Sequence, residues 1–224
     1  MTTRLNRERV LRAAVALADE SGIDSLSMRR LAQELDVVPM ALYKHVANKE
    51  QLLDGMLDSV VGEIDPPEPG PDWRHVVRRR ILSARRVLLR HRWAYRVIES
   101  RTVPTPAVLG YLDSMIGVFR DGGFSADLTH HVMHAMGSRL LGFSQELFDD
   151  SKAGAGAAGP PDPAVASALA ERYPRIAELA AAAAHDGGSV VGGGCDDQFE
   201  FEFALDLLLD GFERLRERGW TSAR

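Results

Sequence analysis

Ser27-Met28-Arg29-Arg30-Leu31-Ala32-Gln33-Glu34-Leu35-Asp36-Val37-Val38-Pro39-Met40-Ala41-Leu42-Tyr43-Lys44-His45-Val46 reads as two short helices separated by a tight turn. Ser27 is placed to cap the first, and Leu26 and Leu31 occupy the apolar pair that fixes how a chain runs into a helix. Met28, Leu31, Ala32 and Leu35 recur at helical spacing as its buried stripe, so this helix ends near Leu35. Three residues later stands Pro39, whose missing N–H costs nothing at the first position of a new helix. That helix is expected from Pro39 to about Val46, with Leu42 and Val46 turned inward. It is too short to be stable alone and must be held by packing.

Upstream, Val10, Leu11, Ala14, Val15, Leu17 and Ala18 predict a helix closed by Gly22. Downstream, Asn48-Lys49-Glu50-Gln51 predicts a capped start and a long helix running toward Ile64. Asp65-Pro66-Pro67-Glu68-Pro69-Gly70-Pro71 then breaks the pattern and marks a boundary, without needing to be a flexible tether. Further helices are expected over roughly Trp73 to Arg90, Trp93 to Ser100, Thr105 to Asp121, Ser125 to Phe148, Pro163 to Ala184 and Gln198 to Arg218. No segment reads as a strand. The expected class is all-α: a three-helix helix-turn-helix module in residues 1–50, a linking helix at about 48–64, and a helical ligand-binding and dimerisation domain over 65–224. The glycine-rich stretches 153–161 and 186–194 read as loops, and neither has the Gly-Lys-Ser/Thr of a phosphate loop.

At 224 residues, with 45% hydrophobic and 26% charged residues, the composition excludes disordered and collagen-like classes. No apolar run approaches the roughly 20 residues needed to span a bilayer, so no membrane partner is expected. A single cysteine, Cys195, and the lack of any zinc-type Cys/His spacing point to a reducing cytoplasm and no metal. His130, His131 and His134 lie close together, but no carboxylate at matching spacing completes a site, so a surface or core role is expected. The net charge of −5 is unevenly spread. Arg74, Arg78, Arg79, Arg80, Arg85, Arg86, Arg90, Arg92, Arg96 and Arg101 face one acid, Glu99, in their own stretch, which reads as a solvated helix face or a partner for the acidic tail.

Two short helices joined by a turn form the scaffold that places one helix in a DNA major groove. With Leu42 and Val46 inward, Pro39, Met40, Ala41, Tyr43, Lys44 and His45 remain available outside. Tyr43 and His45 can donate to phosphate oxygens, Lys44 can reach phosphate or guanine, and Met40 and Ala41 can touch thymine methyls. Arg29, near the start of the preceding helix beside Ser27, has the fork for bidentate guanine recognition. Lys49 stands at a helix N-terminus suited to a phosphate. Taken singly, such residues also describe a solvated face; their arrangement is what points to a double-stranded DNA operator.

The run Ser27 to Leu35, then Val37, Ala41-Leu42-Tyr43-Lys44-His45-Val46, Asn48-Lys49 and Leu52-Leu53 resembles the TetR family of transcriptional regulators. Asp36 stands where that pattern usually has glycine; aspartate tolerates a left-handed turn better than most residues. Trp73, Leu88-Leu89, His91-Arg92, Gly123-Phe124-Ser125, Gly137, Leu141-Gly142 and Phe201 to Glu213 resemble the tetracycline-repressor branch of the family. The resemblance implies a homodimer joined by a four-helix bundle, built from Ser125 to Phe148 and Gln198 to Arg218 of both subunits, and an effector cavity in each C-terminal domain.

It also implies that the position of a magnesium-holding histidine is Ile98, that of a second drug-contacting histidine Ser138, and that of a glutamine contact Met115, with Glu146 alone keeping a polar role. Without imidazole a hard-cation chelate loses affinity, so a largely apolar small molecule is expected instead, with no cofactor. Its expected surroundings are Trp93, Ile98, Met115, Phe119, His134, Ser138, Leu141 and Glu146, although Met and aromatic residues at helical spacing more commonly form core. The function expected is a ligand-responsive regulator, a repressor released from a palindromic operator by its effector. An activator of the same fold is the alternative. A helical enzyme is the more distant one, because no nucleophile–base set or cofactor motif is present.

Overall fold

The computed structural model describes residues 4–142, 163–183 and 197–223. The chain divides into two compact units, one of Met1–Leu141 with Phe212–Arg224 and one of Gly142–Gly211. Among the described residues every regular element is helical.

Helix α1, Arg7–Ser21, is capped by Asn6, whose side chain accepts from the Arg9 N–H, and closes at Gly22 with φ 78°, a conformation that favours glycine. One 3-10 turn, Ile23–Ser25, leads to α2, Met28–Glu34, where the Ser27 hydroxyl accepts the Arg30 N–H at 3.1 Å. Leu26 and Leu31 are both buried, as a hydrophobic staple requires. The turn passes through Asp36 at φ 54°, the only non-glycine residue at positive φ among those described.

Helix α3 starts at Pro39 but is shorter than its sequence suggested, ending at Leu42 rather than Val46. The Leu42 carbonyl accepts from His45 at 2.8 Å and from Val46 at 3.1 Å, so the chain tightens into a turn there instead of adding a second α turn. Leu42 and Val46 are nonetheless both buried. Helix α4, Lys49–Val61, has the expected cap: Asn48 accepts the Gln51 N–H at 2.8 Å, and Gln51 reaches back to the Ala47 N–H at 2.5 Å. Gly55 lets α4 lie close to α1, because a Cβ there would stand 2.8 Å from a Leu11 methyl.

The proline-dense segment is pinned rather than loose. Asp65 donates its N–H to Ser83, accepts the Ser83 hydroxyl, and pairs with Arg86 at 2.8 Å, all on α5, Trp73–Arg90. Helix α6, Trp93–Ser100, follows after a corner at His91 and Arg92, then α7, Pro106–Asp121, and α8, Ala126–Gly142. One apolar core runs from Val10, Leu17, Leu31, Leu42 and Val46 through Leu52, Met56 and Val60 to Val87, Trp93, Ala94 and Val97, so α1–α4 share their interior with α5 and α6. A second buried group joins Trp73, Phe119, Phe124 and Phe212 at centroid distances of 4.7–6.4 Å.

In the other unit, the single helix expected from Pro163 to Ala184 is two, α9 (Pro163–Arg172) and α10 (Pro174–Ala183). Pro174 lacks the N–H a continuous helix needs and forces Tyr173 out of helical geometry. Helix α11, Asp197–Glu217, begins in this unit and ends in the first; Phe201, Leu205, Leu209 and Phe212 along it are buried, and Phe199, Phe203 and Leu207 are exposed.

Candidate nucleic-acid interface

The exposed face of α2, α3 and the start of α4 is built on a buried one. Leu31, Ala32, Leu42, Val46 and Leu52 are each at most 1% exposed and anchor the three helices. Outside, Met40 is 71% and Tyr43 43% exposed, large apolar area left in water on a helix only four residues long. Pro39, Lys44, Arg29, Ser27 and Lys49 are exposed as well, and Ala41 and His45 are half-buried. The residues proposed for DNA contact therefore all reach the surface of one small module. Ser27 is committed to capping α2, so its hydroxyl serves the helix first.

The electrostatics of this face differ from those of the arginine-rich α5 and α6. Arg29, Lys44 and Lys49 form no ion pair among the described residues, whereas Arg79 pairs with Glu68, Arg86 with Asp65, Arg90 with Glu63, and Arg96 with Asp24. Arg101 bridges Glu50 and Asp54 on α4. Five of the ten arginines of the basic run are thus matched by acids of α4 and the turn just past it, the proline segment and the turn after α1, partners that their own stretch does not contain. At the start of α4 the cap uses the Gln51 N–H, leaving those of Lys49 and Glu50 for an anion, with the Lys49 ammonium alongside.

The C-terminal residues expected around an effector do not share one environment. Met115 and Phe119, on α7, are fully buried, with Phe119 against Trp73, Phe124 and Phe212. Trp93 lies in the core shared with α1–α4, and its indole N–H donates to Asp19 at 2.7 Å; Ile98 packs at the edge of the same core. His134 is exposed and meets His130 edge to face, with ring centroids 4.6 Å apart. The side chains of Ser138 and Leu141, the whole of Glu146, Cys195 and both glycine-rich stretches lie outside the described residues.

Sequence reasoning missed Arg80, which it placed with the solvated arginines. Arg80 is 7% exposed; it donates to the Asp65 carbonyl at 3.0 Å and the Ser114 hydroxyl at 2.7 Å, and lies 4.7 Å over the Tyr111 ring. The signal was its position: Trp73, Val77, Arg80, Ala84 and Val87 share one helical face, and all are buried. Burial pushes the guanidinium below its ordinary value. The Asp19–His91–Trp93 cluster also escaped notice, because its members are 72 and 74 positions apart.

Residues 10–56 match the profile of bacterial regulatory proteins of the tetR family, and residues 66–216 match that of the tetracyclin repressor-like C-terminal domain. The chain is 37% identical over 121 residues to an HTH-type transcriptional regulator of Saccharopolyspora erythraea, covering 54% of this chain and 51% of that one. It is 30% identical over 217 residues to the class G tetracycline repressor of Vibrio anguillarum, covering 96% of both. The fold superposes on the TetR family protein ActR of Streptomyces coelicolor in complex with actinorhodin, with a TM-score of 0.71 and 28% identity over 95% of this chain and 98% of that one. In its matches to the first of the curated relatives the chain spans only about half their length, 51–57%. With both halves matched and one relative aligned almost end to end, this chain belongs to the TetR family of transcriptional regulators.

Proposed function

We propose that the protein is a ligand-responsive transcriptional repressor that binds a palindromic operator as a homodimer and releases it when a small molecule binds. It is a regulator and not an enzyme. The observation that carries this reading is the α2–turn–α3 face: a buried Leu42 and Val46 beneath exposed Met40, Tyr43 and Lys44, flanked by Arg29 and Lys49 with no acidic partners among the described residues. Arg29, Pro39, Met40, Ala41 and Lys44 read bases, while Tyr43, His45 and Lys49 hold phosphates and fix register.

Residues 1–50 act as the DNA-binding domain, α4 as the linking lever, and 65–224 as the effector-binding and dimerisation domain. Two features support dimerisation: membership of the TetR family, for which a homodimer is expected, and the exposed row Phe199, Phe203, Leu207 on α11, apolar area of the kind that marks an interface. The effector site centres on Met115 and Phe119 of α7, whose neighbour α4 carries Lys49 toward the operator. A ligand that favours one placement of α4 then weakens DNA binding, and DNA weakens ligand binding by the same factor.

A gel-shift titration with palindromes taken from DNA beside the encoding gene tests this, together with sedimentation of the free protein. Specific, steeply salt-sensitive retardation by a dimer is expected. Weak binding of equal strength to every sequence would sink the proposal.

A further inference from the structure

One buried polar atom on α5 and one on α7 lack a partner among the described residues. Arg80 is almost fully enclosed, yet its described partners are all neutral: a backbone carbonyl, a hydroxyl and an aromatic face. Among the described residues its Nε has no hydrogen-bond partner, and neither does the buried hydroxyl of Tyr111, the ring over which the guanidinium lies. The carboxylate of Asp65 is taken by Ser83 and Arg86, while its backbone carbonyl accepts from Arg80. Ser114 cannot supply a further donor, because its hydroxyl gives its proton to the Tyr111 carbonyl while accepting from Arg80.

A buried cation without a counter-charge and a buried phenol without a partner are each costly, and the two stand side by side, the guanidinium over the ring, as donors that an anionic acceptor would satisfy. Burial holds the Tyr111 phenol up to about 12, so at neutral pH it is a neutral O–H donor and not a competing anion.

We infer that Arg80 and Tyr111 bind the acidic oxygen of an organic anion, so that the effector is an aromatic acid whose rings lie in the apolar part of the site and whose carboxylate or acidic hydroxyl lies against Arg80. This rests on the effector-responsive reading above and refines it, giving the largely apolar ligand one acidic group. A charge-assisted bond from a guanidinium is the strongest polar contact a protein offers to such a group.

The test titrates the full chain with salicylate, 3-hydroxy-2-naphthoate and anthraquinone-2-carboxylate, each beside its neutral carboxamide, following tryptophan fluorescence and thermal unfolding. At least one acid is expected to bind about tenfold or more tighter than its amide. Arg80→Met should reduce that ratio to about twofold or less. Tyr111→Phe removes only an oxygen without a partner in the free protein; it should leave Tm unchanged or raised and weaken the same acid several-fold. A merely structural hydroxyl would instead lower Tm and leave the acid-to-amide ratio unmoved.

The inference is overturned if acids and amides bind alike, if no acid binds by about 1 mM, or if the variants keep the preference. Should Arg80→Met not fold, the wild-type ratio and Tyr111→Phe decide. Operator retardation measured in parallel separates the two readings. If it persists while no acid binds, only the anion site falls; if it is absent, the regulator falls and the acid-to-amide ratio still judges the site.

Discussion

Nδ1 of His91, at the end of α5, lies 2.8 Å from Oδ1 of Asp19 on α1, and the same carboxylate oxygen accepts the indole N–H of Trp93 at 2.7 Å. The other imidazole nitrogen faces Glu63, just past α4, at 3.3 Å. His91 is 5% exposed, so a single carboxylate of the first helix orients two buried rings at the α5–α6 corner. Removing it leaves two buried donors without an acceptor. Asp19→Ala should cost about 2–3 kcal/mol in urea unfolding, and Asp19→Asn, which keeps an oxygen there, about 1 kcal/mol. Unchanged unfolding in the alanine variant would show that water replaces the carboxylate.

The DNA face can be separated from its support. Tyr43→Ala and Lys49→Ala remove exposed side chains and should alter stability by no more than about 0.5 kcal/mol, while weakening operator binding and, for Lys49, lowering the salt slope by about one. Leu42→Ala empties a fully buried position and should cost about 2–5 kcal/mol. Paired circular dichroism and gel shift distinguish these outcomes.

Asp36 occupies the left-handed region in the turn between α2 and α3. Asp36→Gly should raise stability by about 0.5–1 kcal/mol, and Asp36→Val should lower it by about 1 kcal/mol or more, because β-branched residues tolerate that conformation worst. Thermal melts of the two variants should therefore move in opposite directions.

Ser27 caps α2 through the Arg30 N–H. Ser27→Ala should cost about 1 kcal/mol and Ser27→Asp should restore most of it. Restoration of stability without restoration of operator affinity would assign Ser27 a contact to phosphate in addition to its cap, since a carboxylate repels that group.

Glu213 has its carboxyl held below the usual range, first by its hydrogen bond to Arg216, and it also accepts the Trp73 indole N–H at 3.1 Å. A lowered folded-state value stabilises the protein above the ordinary carboxylate range, and that stability is lost as pH falls through the lowered value. Acid titration of wild type should thus lose more stability below about pH 4.3 than Glu213→Gln does. Parallel acid-unfolding curves for the two proteins would argue against the pair.

Local signals were legible to the residue. Ser27, Asn48, Gly22 and Pro39 end and begin helices where side-chain oxygens, a free backbone and a missing N–H make them do so. The inward turn of Leu42 and Val46 was legible too, even though the α turn between them was not: both residues stay buried whether the chain winds as an α-helix or tightens at the Leu42 carbonyl. What could not be read depended on distant partners. Arg101 finds Glu50 and Asp54, Arg96 finds Asp24, and Arg80 finds Ser114, none within the basic run itself. Trp93 is among the residues expected around an effector, and its indole N–H is held by Asp19, 74 positions earlier, a partner no local pattern announces.

That shared core limits how the protein can be cut and recombined. A protease acting between Pro66 and Pro71 would release an N-terminal piece whose α4 still presents Met56 and Val60, made to lie with Val87, Ala94 and Val97 on the other side of the cut. Such a piece would be sticky rather than autonomous. Exchanging operator preference between relatives therefore calls for transplanting the outer side chains of α2 and α3 onto this frame, not for splicing the first fifty residues onto a foreign body.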